Sequence, residues 1–361
     1  MIRPPVVPGL PGLRIGRISL VWRPWPFLVA AALAVALVLV TAFSIGIGDY
    51  PLSALDVLRI LFTPDSTRFE RIVVVDWRLP RALTAVAVGC ALGLSGALMQ
   101  SVTRNPLASP DILGVTTGAS AAAVTVVTVS GSGSALATVA GWMAGAGIPL
   151  AALLGGFLAG AVMWALSWRG GVDPYRLVLF GIILTALLQA YIQYLLIRAE
   201  LRDAATAQFW LTGSLNASDW HRTLPIGVLV LASAPVVAWM AFQLRVSLLG
   251  PDLAAALGQR VSAAQFAFLA FAVALAAVAV AASGPIGFVA FVAPQLAVRL
   301  VRAAAPPLVS SALMGGLLLV AADAVVQSAL PVELPVGLLT SALGGVFLIH
   351  LLVTTNRKHN P

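Results

Sequence analysis

Charge is what this sequence has least of. Only 9% of its 361 residues are Asp, Glu, Lys or Arg, while 60% are hydrophobic. Soluble domains carry about 25% charged residues, so this chain cannot coat itself in water-facing side chains. A membrane is the solvent such a composition implies. Cysteine is nearly absent. Cys90 stands alone inside an apolar run, which excludes an intramolecular disulfide and a cysteine-based metal site and leaves a small packed residue. Lysine also occurs once, as Lys358. A Walker A loop needs a lysine to reach the nucleotide phosphates, so if ATP drives this chain, a partner must bind it.

What remains is apolar and ordered. Ten apolar runs fall near 27–46, 82–101, 112–130, 148–168, 177–198, 224–243, 263–282, 288–303, 307–330 and 336–354. Each span needs about 20 residues to cross the hydrocarbon core; the eighth run is short and reads as tilted, broken or shielded by protein. Ten spans put both termini on one side. That side would hold 13 of the 21 basic residues against Asp111, Asp173 and Asp252. The other side holds eight basic and ten acidic residues. Basic residues accumulate in cytoplasmic loops, so the termini are expected inside. The same distribution explains the formal charge of +8 without a basic face, and nucleic acid is not an expected partner.

Residues 1–26, with Arg3, Arg14, Arg17 and Arg23 among prolines, read as a cytoplasmic tail, since no small-residue cleavage pattern follows Ile45. The membrane domain is then 27–354, and 355–361 a cytoplasmic C-terminal tail. Two external segments, 47–77 and 199–223, are long enough to fold on the surface. In the second, Leu201, Phe209, Trp210 and Leu211 predict an amphipathic helix on the outer interface, and Trp210 and Trp220 suit an aromatic belt. Gly89/Gly93 and Gly156/Gly160, at four-residue spacing, predict helix backbones in close approach.

Residues 78–120 are the most informative. Arg78-Leu-Pro-Arg81 opens a run punctuated by Gly89, Gly93 and Gly96; it closes on Gln100, and the chain turns through Asn105-Pro106-Leu107-Ala108. A second patterned segment is 244–261, where Leu248, Leu249, Leu253 and Leu257 give a small apolar face. Gly250 and Gly258 bracket a short helix starting near Pro251-Asp252, with Asp252 favourably placed at its N-terminus. Gly284-Pro285-Ile286-Gly287-Phe288 breaks the chain in backbone that only a surrounding bundle can shield.

These motifs, in this order, resemble the FecCD-type membrane permease subunits of ABC importers for iron–siderophores, haem and cobalamin. That family carries a similar R-L-P-R, G-x-x-G-x-x-x-Q and N-P-L-A series. The resemblance implies an all-α polytopic fold of about ten helices, the type II ABC importer permease fold, forming half of a dimeric channel. It implies a second permease subunit, identical or homologous, two ATPase subunits and an external solute-binding protein, besides membrane lipid. ATP and Mg would sit on the ATPase partner, with no cofactor, metal or catalytic residue on this chain, and the location would be a bacterial inner membrane. The cargo would be a ferric siderophore, with cobalamin or haem next.

Residue by residue, the resemblance implies that Arg78 and Arg81 face acidic residues of the binding protein; snorkelling at the interface is the plainer reading. It implies that Leu248, Leu249, Gly250, Asp252, Leu253, Leu257 and Gly258 form the segment that docks on the ATPase, against the plainer reading of an amphipathic connector. Gly93, Gly96, Gln100, Asn105 and Pro106 would serve the translocation path and helix packing. The chain departs from the family pattern in having Pro251 after Gly250, Gln295 after Pro294 where histidine is usual, and Gln327 where Asp323 usually leads to arginine; Glu333-Leu-Pro-Val-Gly337 keeps it.

Two other classes are weaker readings of the sequence, since spans one to seven hold no buried acid and a four-residue Gly/Ser match is common in Gly/Ala-rich spans. A secondary transporter would need ionisable residues buried mid-span, for which Asp323 is the late candidate. An intramembrane protease of the rhomboid type would use Gly93-Leu-Ser95-Gly96 with His350, and would need a base within reach of the serine.

Overall fold

The computed structural model describes residues 12–15, 18–21, 24–48, 50–63, 66–130, 135–168, 173–329 and 334–356. Glu333, Lys358 and most of the N-terminal tail lie outside them. Within the tail, strands β1 (Gly12–Ile15) and β2 (Ile18–Val21) pair antiparallel. A tail read from its arginines and prolines predicts no strand, yet Ile15, Ile18 and Val21 are β-branched and suit one.

The rest is helical. In chain order the helices are α1 (Pro24–Gly46), α2 (Ala54–Phe62), α3 (Arg68–Arg71), α4 (Leu79–Thr103), α5 (Val115–Ser130), α6 (Ala135–Ser167), α7 (Pro174–Arg198) and α8 (Leu201–Leu211). They continue with α9 (Trp220–Ala232), α10 (Ala234–Ser247), α11 (Pro251–Ala256), α12 (Val261–Ser283), α13 (Val289–Val301), α14 (Leu308–Ala329) and α15 (Val336–Asn356). Among the described residues six helices are long and apolar enough to cross a membrane, and the bent pair α9–α10 makes a seventh. Shorter apolar helices at Val115–Val129, Val289–Val301 and Val336–Leu351 fall on the remaining apolar runs.

Three departures from the expected spans have local causes. The run expected at 224–243 is broken at Ser233, where α9 and α10 meet at 42°; Pro235 on the far side lacks the N–H a continuous helix would need. The run at 82–101 belongs to a helix of 36 residues from Arg68 to Thr103, joined to α3 through a π-helical stretch, Ile72–Arg78. Helix α13 has 13 residues, about 20 Å at 1.5 Å per residue, too short for a hydrocarbon core of about 30 Å. It starts and stops at residues with left-handed backbone, Phe288 (φ 66°) and Arg302 (φ 55°), and packs on α4 and α14.

Helix α4 is the axis of the bundle: every residue from Ala87 to Thr103 is buried. Lipid is as apolar as leucine, so helices in a membrane associate by close packing rather than by hydrophobic transfer. The glycines of α4 permit that. A Cβ on Gly89 would strike Gly315 and Gly316 of α14, on Gly93 the Ser311 carbonyl, and on Gly96 the Ala290 carbonyl of α13. Gly118 of α5 meets Gly155 of α6, and Gly156 and Gly160 of α6 meet Ala277 and Val273 of α12.

The segment 47–77 packs on the ends of α1 and α4 through a small core of Ile45, Val57, Ile60, Val74 and Ala82. Helix α2 starts in a capping box between Ser53 and Asp56, satisfying N–H groups a helix start leaves open. The Ser53 hydroxyl and N–H hold the Asp56 carboxyl below its ordinary range. The expected amphipathic helix in 199–223 is α8, with Leu201 and Phe209 exposed and Ala207 buried. Trp220, expected in an interfacial belt, donates its indole N–H to the Val75 carbonyl at 3.0 Å and ties the two surface segments together.

Candidate docking, coupling and translocation sites

At one end of the bundle, Arg78 and Arg81 are held by this chain. Arg78 Nη1 donates to the carbonyls of Ile45 (3.1 Å) and Gly46 (3.3 Å), and Nη2 to that of Tyr50 (2.7 Å). A helix leaves its last carbonyls unpaired and carries partial negative charge there, and the guanidinium answers both needs for α1. Arg81 grips Asp323 with Nε at 3.0 Å and Nη2 at 2.8 Å, the two-pronged geometry that makes guanidinium–carboxylate pairs strong. The Asp323 side chain is 1% exposed and that of Arg81 22%. Gln327 donates to the same carboxylate at 2.7 Å, so the residue standing at the family's arginine position completes the network. Asp323 therefore faces the bundle.

Three chain segments lock nearby through glycine backbones. Ser214 N–H donates to the Ser283 carbonyl and Gly337 N–H to the Gly213 carbonyl. A Cβ on Gly213 would strike the Pro285 carbonyl, and one on Gly337 the Thr212 carbonyl. Gly213 and Gly284 have φ of 68° and 71°, conformations that glycine alone adopts freely.

At the other end, 244–261 forms the expected short helix. Gly250 (φ 102°) and Gly258 (φ 86°) turn the chain into and out of α11, and Ala254 is its buried anchor. Leu248, Leu249, Leu253 and Leu257 are all exposed, the last two at 59% and 66%. An apolar ridge on a loop between spans is costly in water unless something covers it. The loop is braced rather than slack: Gln259 Nε2 donates to the Gln243 carbonyl at 2.9 Å, and Ser247 Oγ to Gln259 Oε1 at 3.0 Å. Arg104 donates to the Ser247 carbonyl at 3.2 Å, joining this loop to the turn after α4. In that turn Asn105 Oδ1 accepts the Leu107 N–H at 2.9 Å, and Pro106 is exposed.

Of the residues expected along the path, Gly93 and Gly96 lie in the packed seams of α4 with α14 and α13. Gln100 is 3% exposed; its Nε2 donates to the Phe291 carbonyl at 3.1 Å, and its Oε1 accepts from Gln295 at 2.6 Å. The glutamine in place of the family's histidine thus satisfies a buried amide, as buried polar groups require.

The polar cavity lies elsewhere, and sequence reasoning missed it. A space of about 380 Å³ is bounded by α5, α7, α15 and the 285–287 break, and its wall includes Asp111, Thr116, Ser120, Thr185, Gln189 and Gln193. Thr116 donates to Asp111 at 2.7 Å. The Thr185 hydroxyl is buried without a partner. The signal was present: Thr185, Gln189 and Gln193 recur every four residues along an otherwise apolar run and so share one helix face. Polar groups on a membrane helix are expensive against lipid, so a face like this one marks a wetted wall or a protein interface.

Neither rival class finds its chemistry. Ser95 donates to the Ala272 carbonyl at 2.7 Å and is fully buried, so it is not poised as a nucleophile, and Asp323 is matched by Arg81. Among the described residues no group of three His, Cys, Asp or Glu side chains could hold a metal ion.

The comparisons with known proteins agree with this geometry. The model of the FecCD transport family matches residues 27–354. A ferric enterobactin transport system permease protein of Escherichia coli K12 is 40% identical over 295 residues, 81% of this chain and 86% of that protein. An achromobactin transport system permease protein of Dickeya dadantii is 38% identical over 92% of this chain and 96% of that protein. A hemin transport system permease protein of Yersinia pestis is 33% identical over 94% and 99%. A solved structure described as an inward-facing conformation of a metal-chelate type ABC transporter superposes with a TM-score of 0.77 at 28% identity, covering 90% of this chain and 99% of that one.

Proposed function

Because the chain belongs to the FecCD transport family, we propose that it is the membrane-spanning permease subunit of an ATP-driven importer whose cargo is a ferric siderophore. The observation that carries this is the family match across the whole membrane domain, 27–354. The siderophore class rests on relatives named for ferric enterobactin and achromobactin; a hemin permease at 33% identity makes haem the second reading.

In this proposal the chain pairs with a second permease, identical or homologous, and two ATPase subunits cover the exposed leucines of 244–261. The braced loop supports that role, since a mechanical coupling element must transmit displacement instead of absorbing it. Nucleotide binding on the ATPases would bias the bundle between two access states, a population shift. The polar wall of Asp111, Thr116, Thr185, Gln189 and Gln193 would line the route, offering exchangeable hydrogen bonds to a chelate rich in oxygen atoms. The termini and 244–261 would be cytoplasmic, and a binding protein would dock at the Arg78/Arg81 end. Replacing Gln189 and Gln193 together with Leu tests the route: ATP-driven uptake of ferric siderophore into proteoliposomes should fall while assembly and basal hydrolysis persist. Undiminished uptake would place the route elsewhere.

A further inference from the structure

A helix lying on the surface of a protein needs one apolar side, and α2 has two. Seen down its axis, at about 100° per residue, its side chains fall into three sectors. Val57 and Ile60 form the first; both are buried against Ile45, Val74 and Ala82. Asp56 and Arg59 form the second and are exposed. Leu55, Leu58 and Leu61 form the third, and they are 77%, 51% and 36% exposed. No charge interrupts this leucine side. An uncovered apolar face of this kind marks a contact with something other than water.

The height of α2 in the membrane follows from α1. That helix has 23 residues, about 35 Å at 1.5 Å per residue, against a hydrocarbon core of about 30 Å. Trp25 is exposed in its first turn and suits one interface, so Ile45 in the last turn lies at the opposite boundary. Helix α2 is fixed at that level. Its buried side packs on Ile45, and the Leu52 N–H just before it donates to the Gly46 carbonyl at 3.1 Å. Tyr50 and Trp77, on either side of α2 in sequence, are exposed, and these aromatic types gather at such a boundary. The exposed flank of α1, with Val38, Leu39 and Phe43, carries the lipid-facing surface up to the same height.

We propose that α2 is an interfacial anchor, with Leu55, Leu58 and Leu61 bedded in the acyl region of the adjoining lipid leaflet and Asp56 and Arg59 in headgroup water. The three sectors match the three surroundings that meet there: protein, lipid and water. A soluble partner covering the leucines would need a face at bilayer depth, where acyl chains already stand. The anchor holds segment 47–77 on the lipid surface beside the Arg78/Arg81 end. It rests only on α1 crossing the membrane, and on neither the cargo nor the ATPase.

Depth measurement tests it. Single nitroxide labels would be placed through Leu55→Cys, Leu58→Cys and Arg59→Cys in a Cys90→Ala background. The assembled transporter would be reconstituted in vesicles of phosphatidylethanolamine and phosphatidylglycerol. Collision of each label with oxygen and with a water-soluble nickel chelate would then be measured. Labels at 55 and 58 should meet oxygen and not nickel, at a depth of about 5–10 Å, and the label at 59 should meet nickel. Adding the binding protein should change neither of the first two. Nickel access at 55 and 58 would overturn the anchor. Shielding of both positions from both reagents would also overturn it, by showing that protein covers the face, and so would shielding that begins when the binding protein is added. A bilayer-soluble diazirine in the same vesicles reads the unmutated chain. Adducts are expected on Leu55 or Leu58, and their absence would equally overturn the proposal.

Discussion

At the scale of single residues, the Arg81–Asp323 pair changes how this end of the protein should be tested. Removing one member of a buried ion pair leaves its partner uncompensated, at a cost of about 3–5 kcal/mol. Asp323→Ala should lower the thermal stability of the purified complex by that order, and adding Arg81→Ala should recover much of the loss; simple additivity would show that the pair is not coupled. The pair also confounds the obvious docking test. Arg81→Glu would set a second carboxylate against Asp323, so lost docking could reflect a damaged bundle. Arg81→Glu with Asp323→Arg keeps the pair and reverses the charge toward solvent. If this end docks an acidic binding protein, the swapped variant stays stable but associates more slowly at low salt, with the deficit shrinking as salt rises. Unchanged association kinetics would remove Arg81 from the docking face. Residue identity alone announced two arginines at a helix end. The carbonyls of Ile45, Gly46 and Tyr50 that hold Arg78 come from distant chain, and nothing local in the sequence encodes that meeting.

At the scale of elements, the helix between Gly250 and Gly258 was legible because both its boundaries and its apolar face are local. Exposed Leu253 and Leu257, one turn apart, make the sharpest coupling prediction. Changing both to Asp would put unpaired charge into any dry partner groove, at a cost of several kcal/mol, while leaving the bundle untouched. The variant should insert and fold, then either lose its ATPase subunits or keep them with hydrolysis uncoupled from uptake. Stoichiometric ATPase recovery with normal transport would place coupling elsewhere. Helix packing was legible in kind: the glycine spacing announced close approach, and Gly96 against the Ala290 carbonyl is such a contact. Gly96→Leu should prevent a stable bundle, read as loss of monodisperse protein in detergent, since overpacking costs about 1–3 kcal/mol even for modest insertions. A well-behaved Gly96→Leu protein would contradict the seam. Other elements were hidden. The π-helical stretch before α4 has no signature in residue type, and the bend at Ser233 is foretold only by Pro235, which hydropathy counting passes over. The polar face of α7 is masked by the apolarity of the run as a whole and shows only in the four-residue spacing of Thr185, Gln189 and Gln193.

At the scale of the whole molecule, composition and the order of motifs carried the family, while path, coupling and orientation depend on partners and on a bilayer. Orientation is directly testable. In a Cys90→Ala background, single cysteines in 244–261 should react with an impermeant thiol reagent only from the cytoplasmic face, and those in 199–223 only from outside. Labelling of 199–223 from the cytoplasm would invert the topology on which docking and coupling both rest. The central claim is that this chain is the passive, ATP-coupled half-channel of a siderophore importer, and one reconstitution examines it most directly. Proteoliposomes containing this permease with its ATPase subunits and binding protein would be loaded with ATP and offered iron-55 complexed to a siderophore. The account predicts accumulation that requires internal ATP and the binding protein, and that stops when Leu253 and Leu257 are both Asp. Accumulation driven by an ion gradient without ATP, or by this chain alone, would contradict it.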